Sequence, residues 1–165
     1  MIRTATLADA PAVARIHVES WAVAYRGIMP ADVIARTDLA YRTRFWTDRI
    51  ANSEWPVFVI EEGGELLAFC QMVPSPDGND DPTTVGHITS IHVLPHLRGQ
   101  GHGRALLDQA LAEFRRRGFA EVTLWVLEGN ASARRFYERL GFREDEGRKT
   151  YPATDVPEAR YRISL

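Results

Sequence analysis

Residues 98–103 read Arg-Gly-Gln-Gly-His-Gly, and they join two segments of different periodicity. Upstream, "VGHITSIHVLP" (85–95) alternates and is rich in β-branched residues, the pattern of a strand. Downstream, Leu107, Ala110, Leu111 and Phe114 recur at i, i+3, i+4 and i+7, the pattern of an amphipathic helix. Glycine at a helix mouth loses backbone entropy on folding and packs nothing. What it supplies is bare backbone. The first N–H groups of a helix have no acceptor behind them and carry partial positive charge, so they suit an anion. Two common phosphate loops do not fit. The dinucleotide fingerprint needs glycine at its sixth position, where counting from Gly99 this chain has Arg104. The P-loop needs Gly-Lys-Ser/Thr, and the segment has no lysine. A tight strand-to-helix turn is the plain structural reading. Three alternating glycines with Arg98 beside them favour an anion site.

The remaining pattern places that loop in a mixed α/β chain. "MIRTAT" reads as a short edge strand. Helix 1 follows, with Asp9 as its expected cap, Pro11 in its first turn, and Val13, Ile16, His17 and Ser20 on one stripe. Pro30 and Asp32 open a second, poorly defined helical region that runs to about Ile50. "PVFVIEE" and "ELLAFCQMVP" flank Gly63-Gly64, a hairpin signal. "SPDGNDDPTT" is a loop, expected to be solvated, whose charge could attract a cation. "EVTLWVL" is a strand, and Asn130 caps a short helix striped by Ala133, Phe136, Tyr137 and Leu140. "FREDEGRKTY" and "EARYRISL" supply the last strands. The expected architecture is one domain over residues 1–165. It holds a single mixed, mostly antiparallel sheet of about seven strands flanked by about four helices.

Two linked motifs carry a resemblance. "RGQGHG" resembles the Arg/Gln-x-x-Gly-x-Gly/Ala signature of the GNAT superfamily of N-acetyltransferases. "NASARRFYERLGF" (130–142) resembles that family's second motif, Asn-x-x-Ala-x-x-Phe-Tyr-x-x-x-Gly-Phe, at every named position. The resemblance is specific over about 85–143 and weaker before it. It implies acetyl-CoA as co-substrate and an amine as acetyl acceptor. Main-chain N–H groups of Gly99, Gln100, Gly101, His102, Gly103 and Arg104 would hold the pyrophosphate, with Arg98 as an added cation. Ile91, His92 and Val93 would pair main chain with the pantetheine arm, as an added strand does. The Val93 N–H would polarise the thioester carbonyl. Asn130 would approach the cofactor arm.

The resemblance makes Tyr137 the candidate general acid. A departing thiolate has a pKa of ~8.5 and a phenol ~10, so proton transfer between them is near balance. The helix pattern alone reads Tyr137 as a core aromatic. Many family members carry Glu eleven positions before the Arg/Gln of the glycine motif, and here that position is His87. Histidine titrates near ~6.5 and can serve as a base, directly or through water. Substrate contact and plain packing are its alternative roles. Trp21, Tyr25 and Trp46 lie in the region that shapes the acceptor pocket in the family, where core packing is the other reading for each.

The bulk numbers narrow the classes. A net charge of −2 argues against general nucleic-acid or anionic-membrane binding. One cysteine, Cys70, excludes a disulfide within the chain and fits a reducing cytoplasm. His92, His96 and His102 straddle strand, turn and loop with no carboxylate at ligand spacing, so no metal is expected. The expectation is a cytoplasmic acetyl-CoA-dependent N-acetyltransferase acting by direct transfer, and homodimers occur in the family. The alternatives are a non-catalytic acyl-CoA-binding regulatory module and a nucleotide-binding domain. The acceptor is open among small amines, aminoglycosides, amino-acid analogues and protein N-termini, and acyl chains longer than acetyl are open too.

Overall fold

The strand ahead of the glycines is β4, Val85–Val93, and the helix behind them is α4, His102–Arg116. The computed structural model describes residues 1–165. Before them come β1 (Ile2–Thr4), α1 (Ala10–Ala24), α2 (Ala31–Ala35), α3 (Leu39–Asn52), β2 (Val57–Glu62) and β3 (Glu65–Pro74). After them come β5 (Glu121–Leu127), α5 (Ala131–Arg139), β6 (Arg143–Thr150) and β7 (Pro157–Ser164). The strands form one seven-stranded sheet in the order β1-β2-β3-β4-β5-β7-β6. β4 and β5 are parallel, while β1–β2, β2–β3, β5–β7 and β6–β7 are antiparallel. This is the mixed, mostly antiparallel sheet expected from the pattern. The helices number five, not about four, because the region after Pro30 is two helices. Asp38 starts the second of them by accepting the Tyr41 N–H on Oδ1 at 2.6 Å.

The chain divides into two compact units, Met1–Met72 with Ser90–Ala110, and Val73–Thr89 with Leu111–Leu165. In the first unit α1 packs on α3 and buries Val13, Ile16, His17 and Ser20, the stripe read from the sequence. Asp9 does not cap α1 with its side chain. A 3-10 turn at Leu7–Asp9 precedes the helix, so the chain begins to coil earlier than expected. Asp9 Oδ2 instead accepts the N–H and hydroxyl of Thr6, at 2.7 and 2.9 Å, and pairs with Arg3 at 2.7 Å. The β2–β3 hairpin turns on Gly63 and Gly64, with φ of 59° and 84°. Two successive positive φ values match the twist of the flanking strands and favour glycine.

In the second unit α4 comes down on β4 at one position. A Cβ on Gly86 would lie 2.2 Å from the Phe114 ring. The aromatic ring fills the space that any side chain there would need. The loop 75–84 is not freely solvated, contrary to expectation. Asp77 and Asp80 pair with Arg160 at 3.2 and 3.8 Å, and Asp80 pairs with Arg162 at 2.7 Å. Both arginines also pair with Asp145. The charges of Asp77 and Asp80 are spent on β7, whereas Asp81 is exposed and its carboxylate bonds only to Thr83 within the loop. Sequence pattern could not show this, because the arginines lie some eighty residues away.

Gly86→Ala is expected to destabilise the protein by about 1–3 kcal/mol, the usual cost of overpacking a core. The measurement is the urea midpoint. Phe114→Leu in the same chain should recover part of the loss, and an unchanged midpoint in Gly86→Ala would contradict the contact.

Candidate functional site

The glycine mouth belongs to the first unit. Gly99 and Gly101 have φ of 80° and 92°, which L side chains rarely adopt. A Cβ on either would meet nothing within 4 Å, so packing does not explain these glycines. Backbone conformation does, together with the open space in front of it. Gly101 C=O accepts the Ala105 N–H at 3.0 Å and so begins α4. The N–H groups of Gly101, His102, Gly103 and Arg104 then precede the first helical acceptor. This cradle fits a phosphate chemically: bare N–H donors, helix polarity and no side chain in front. Arg98 is exposed, but one of its Nη groups donates to the Ser20 carbonyl at 3.1 Å. It therefore ties the loop to α1 as well as adding positive charge.

His92 is held by its side chain. Ser20 Oγ donates to the His17 carbonyl at 3.1 Å and lies 2.8 Å from His92 Nδ1. With the hydroxyl proton given to the carbonyl, Oγ accepts from His92 Nδ1–H and leaves Nε2 bare. The His17 ring stacks on His92 at 4.7 Å. Trp46 Nε1–H donates to His17 Nδ1 at 3.1 Å, and since indole can only donate, the His17 proton sits on Nε2. Burial, then the neighbouring His92 and the Arg42 charge, pushes His17 down to about 2. His92 keeps a partly accessible edge, yet packing around its ring and the charges of Arg98 and Arg42 bring it to about 3. Both rings are neutral near pH 7.

Leu94 N–H donates to Leu67 O on β3 at 3.0 Å. Alternation along a strand turns the preceding N–H, that of Val93, away from β3. The same alternation turns Ile91 with Val93 and His92 with Leu94. Trp21 is buried on α1 and meets Tyr25 edge-on at 4.7 Å. The Arg42 guanidinium lies 5.7 Å from the Trp21 ring centre. Of this cluster the sequence reading singled out Trp21, Tyr25 and His92. It missed Arg42, treated His17 as packing, and placed Trp46 with Trp21 and Tyr25 in the acceptor region or the core. The available signal was His17 and Ser20 on the buried stripe of α1, where polar side chains need partners.

The second unit holds the other expected residues. His87 is buried on β4, with Nδ1 2.9 Å from Thr123 Oγ1 on β5. Burial is the main cause that lowers its pKa to about 4; Asp77 and Asp80 oppose the shift, while Lys149 and Arg160 reinforce it. Tyr137 is buried on α5, with Phe136 and Phe142 packed on its ring. Asn130 caps α5, its Oδ1 accepting the Ala133 N–H at 3.1 Å, so this oxygen is spent on the helix. Cys70 belongs to the first unit, on β3, and is fully buried; burial raises its thiol to about 12. A thiolate there is strongly disfavoured. No group of three or more His, Cys, Asp or Glu side chains is arranged to hold a metal ion. No helix is long and apolar enough to cross a membrane.

Comparison with known proteins agrees with this geometry. A model of the acetyltransferase (GNAT) family matches residues 14–142. An uncharacterized N-acetyltransferase of Bacillus subtilis is 30% identical over 135 residues, covering 79% of this chain and 73% of its own. A mycothiol acetyltransferase of Geodermatophilus obscurus is 39% identical over 85 residues, which span 52% of this chain but only 28% of that one. The structure of yncA from Salmonella typhimurium, solved with its cofactor acetyl-CoA, superposes with a TM-score of 0.74. It is 25% identical, and the match covers 100% of this chain and 93% of that one.

The buried histidines predict an acid-labile fold. His17 and His87 have folded pKa values of about 2 and about 4, below the unfolded value of 6.5. Above pH 6.5 neither state binds the proton, so stability is complete. As pH falls below 6.5, the unfolded chain takes up protons that the folded one refuses, and stability drops. At pH 5.5 the two sites together should cost about 3 kcal/mol. Melting temperature measured from pH 7.5 to 5 should fall accordingly, and a stable His87→Gln variant should show a shallower fall.

Proposed function

The chain belongs to the acetyltransferase (GNAT) family, and from that premise we propose that it moves acetyl from acetyl-CoA directly to a primary amine within a ternary complex. The observation that carries this reading is the glycine cradle. Positive φ at Gly99 and Gly101, with open space where side chains would stand, suits a bound pyrophosphate better than a structural turn. N–H groups from Gln100 to Arg104 take the phosphates in this proposal, with Arg98 as partial counter-charge. Main chain at Ile91 and Val93 takes the pantetheine arm. His92 joins them less readily, because its main chain follows Leu94 toward β3 and its ring is fixed to Ser20.

The chemistry follows as a balanced displacement. The amine nitrogen attacks the thioester carbonyl, whose developing negative oxygen is met by the Val93 N–H. The C–S bond breaks, and the leaving sulfur takes a proton from the Tyr137 hydroxyl. Asn130 contributes through its amide nitrogen and its hold on α5. Trp21 and Tyr25 border the acceptor. Direct transfer is favoured because Cys70, the only cysteine, is buried and has its thiol held near 12.

His87 is a weak base in this setting. Against an ammonium of pKa ~10, a histidine at about 4 leaves a gap of roughly 8 kcal/mol. The amine therefore enters neutral, having lost its first proton to solvent. Once the C–N bond forms, the nitrogen is far more acidic, and His87 receives the later proton. Its working form is the neutral one, so its limb in the pH–rate profile belongs near pH 4, not 6.5.

The test is release of CoA thiol from acetyl-CoA across a panel of amines. Tyr137→Phe should lower kcat by about 100-fold with little change in the KM for acetyl-CoA. Full turnover in that variant would remove Tyr137 as the acid. Gly101→Ala should raise the KM for acetyl-CoA, since alanine strains a φ of 92°. Binding of acetyl-CoA without transfer to any amine would instead favour a regulatory module. Stabilisation by ATP but not by acetyl-CoA would favour a nucleotide-binding domain.

A further inference from the structure

Arg42 has no protein partner for its charge. It lies on α3, with its guanidinium carbon 5.5–5.7 Å from the ring centres of Trp21, Tyr41 and Phe45. Its Nε is buried and bonds to nothing. Neither Nη group makes a hydrogen bond or ion pair within the protein, and the residue as a whole is half-buried. Other half-buried arginines are neutralised. Arg3 pairs with Asp9 and Glu61, and Arg162 pairs with Asp80, Glu121 and Asp145. A guanidinium walled by aromatic rings loses hydration and gains only the modest attraction of the ring faces. Retaining one there without a carboxylate is costly unless a ligand supplies the anion.

The position says which ligand. The Arg42 charge acts on both His17 and His92, and His92 is the chain neighbour of Val93. We infer that Arg42 binds a carboxylate carried by the amine acceptor, which makes it a specificity-determining residue of this enzyme. The inference rests on the transferase reading above, because that reading puts the acceptor beside the end of β4. A carboxylate is planar and singly charged, matching the Nη fork and the single unpaired cation. A phosphate dianion would leave charge over, in a wall whose two histidines stay neutral. A cationic polyamine would meet like charge. Trp21, which borders the acceptor in that reading, would then pack the acceptor's carbon skeleton.

The experiment uses the full chain and three matched sets: L-phenylalanine, L-methionine and L-leucine, each beside its amide and its decarboxylated amine. Acetylation and binding by calorimetry are read for each, with acetyl-CoA affinity as the folding control. The carboxylate-bearing member should bind or turn over at least about 10-fold better than its partners, the range of one charged hydrogen bond. Arg42→Gln should erase that preference by raising KM, leaving acetyl-CoA affinity intact. Arg42→Lys should restore part of it, keeping charge without the fork. The inference is overturned if Arg42→Gln keeps the preference, or if no carboxylate-bearing member outperforms its partners while acetyl-CoA still binds. Failure to bind or consume acetyl-CoA at all overturns the transferase reading itself, and is told apart by that control.

Discussion

The approach of α4 to β4 at Gly86 leaves no room for a side chain on the strand. The Phe114 ring occupies the place of a side chain at that strand position. One glycine supplies proximity and two supply backbone conformation. Only the first is a matter of space: nothing crowds Gly99 or Gly101.

The two units handle charge differently. In the second, cations and carboxylates are matched. Arg160 and Arg162 gather Asp77, Asp80 and Asp145; burial pushes Asp80 and Asp145 up, yet hydrogen bonds from Arg162 and Ser75 to Asp80, and from the Gly147 N–H and both arginines to Asp145, hold them below the usual carboxylate value. In the first, Arg42 is left unpaired beside neutral imidazoles and aromatic rings. Burial of polar groups normally demands partners, so a matched network reads as scaffold and an unmatched cation reads as a place for ligand. His87 and His92 are held alike: each ring meets a hydroxyl through Nδ1, Thr123 for His87 and Ser20 for His92, and each hydroxyl donates in turn to a backbone carbonyl.

Local pattern carried much of this protein. Period-two alternation over 85–93, the i, i+3, i+4, i+7 spacing from Leu107 to Phe114, the Gly63-Gly64 turn and the Asn130 cap are all chemistry of neighbours in sequence, and each appears in the structure. The same locality explains the family: both motifs lie within about sixty residues, in the right order. What pattern missed is equally consistent. Asp9 was expected to cap α1, but a pairing with Arg3 and Thr6 claimed it. The acidic loop was expected in solvent, but β7 claimed the carboxylates of Asp77 and Asp80 and left Asp81 exposed.

The sequence by itself determined the elements, their order and the glycine mouth, because these rest on periodicity and backbone preference within a few residues; the acetyl-CoA reading came from the resemblance of its two motifs to a family. Only the tertiary structure decided which ionisable groups are charged and which are matched. His17 meets Trp46 across 29 positions and Ser20 meets His92 across 72. Dielectric environment and hydrogen-bond partners come from such distant contacts. They lower three histidines below their working range and leave Arg42 without a counter-ion, and no spacing in the sequence encodes either result.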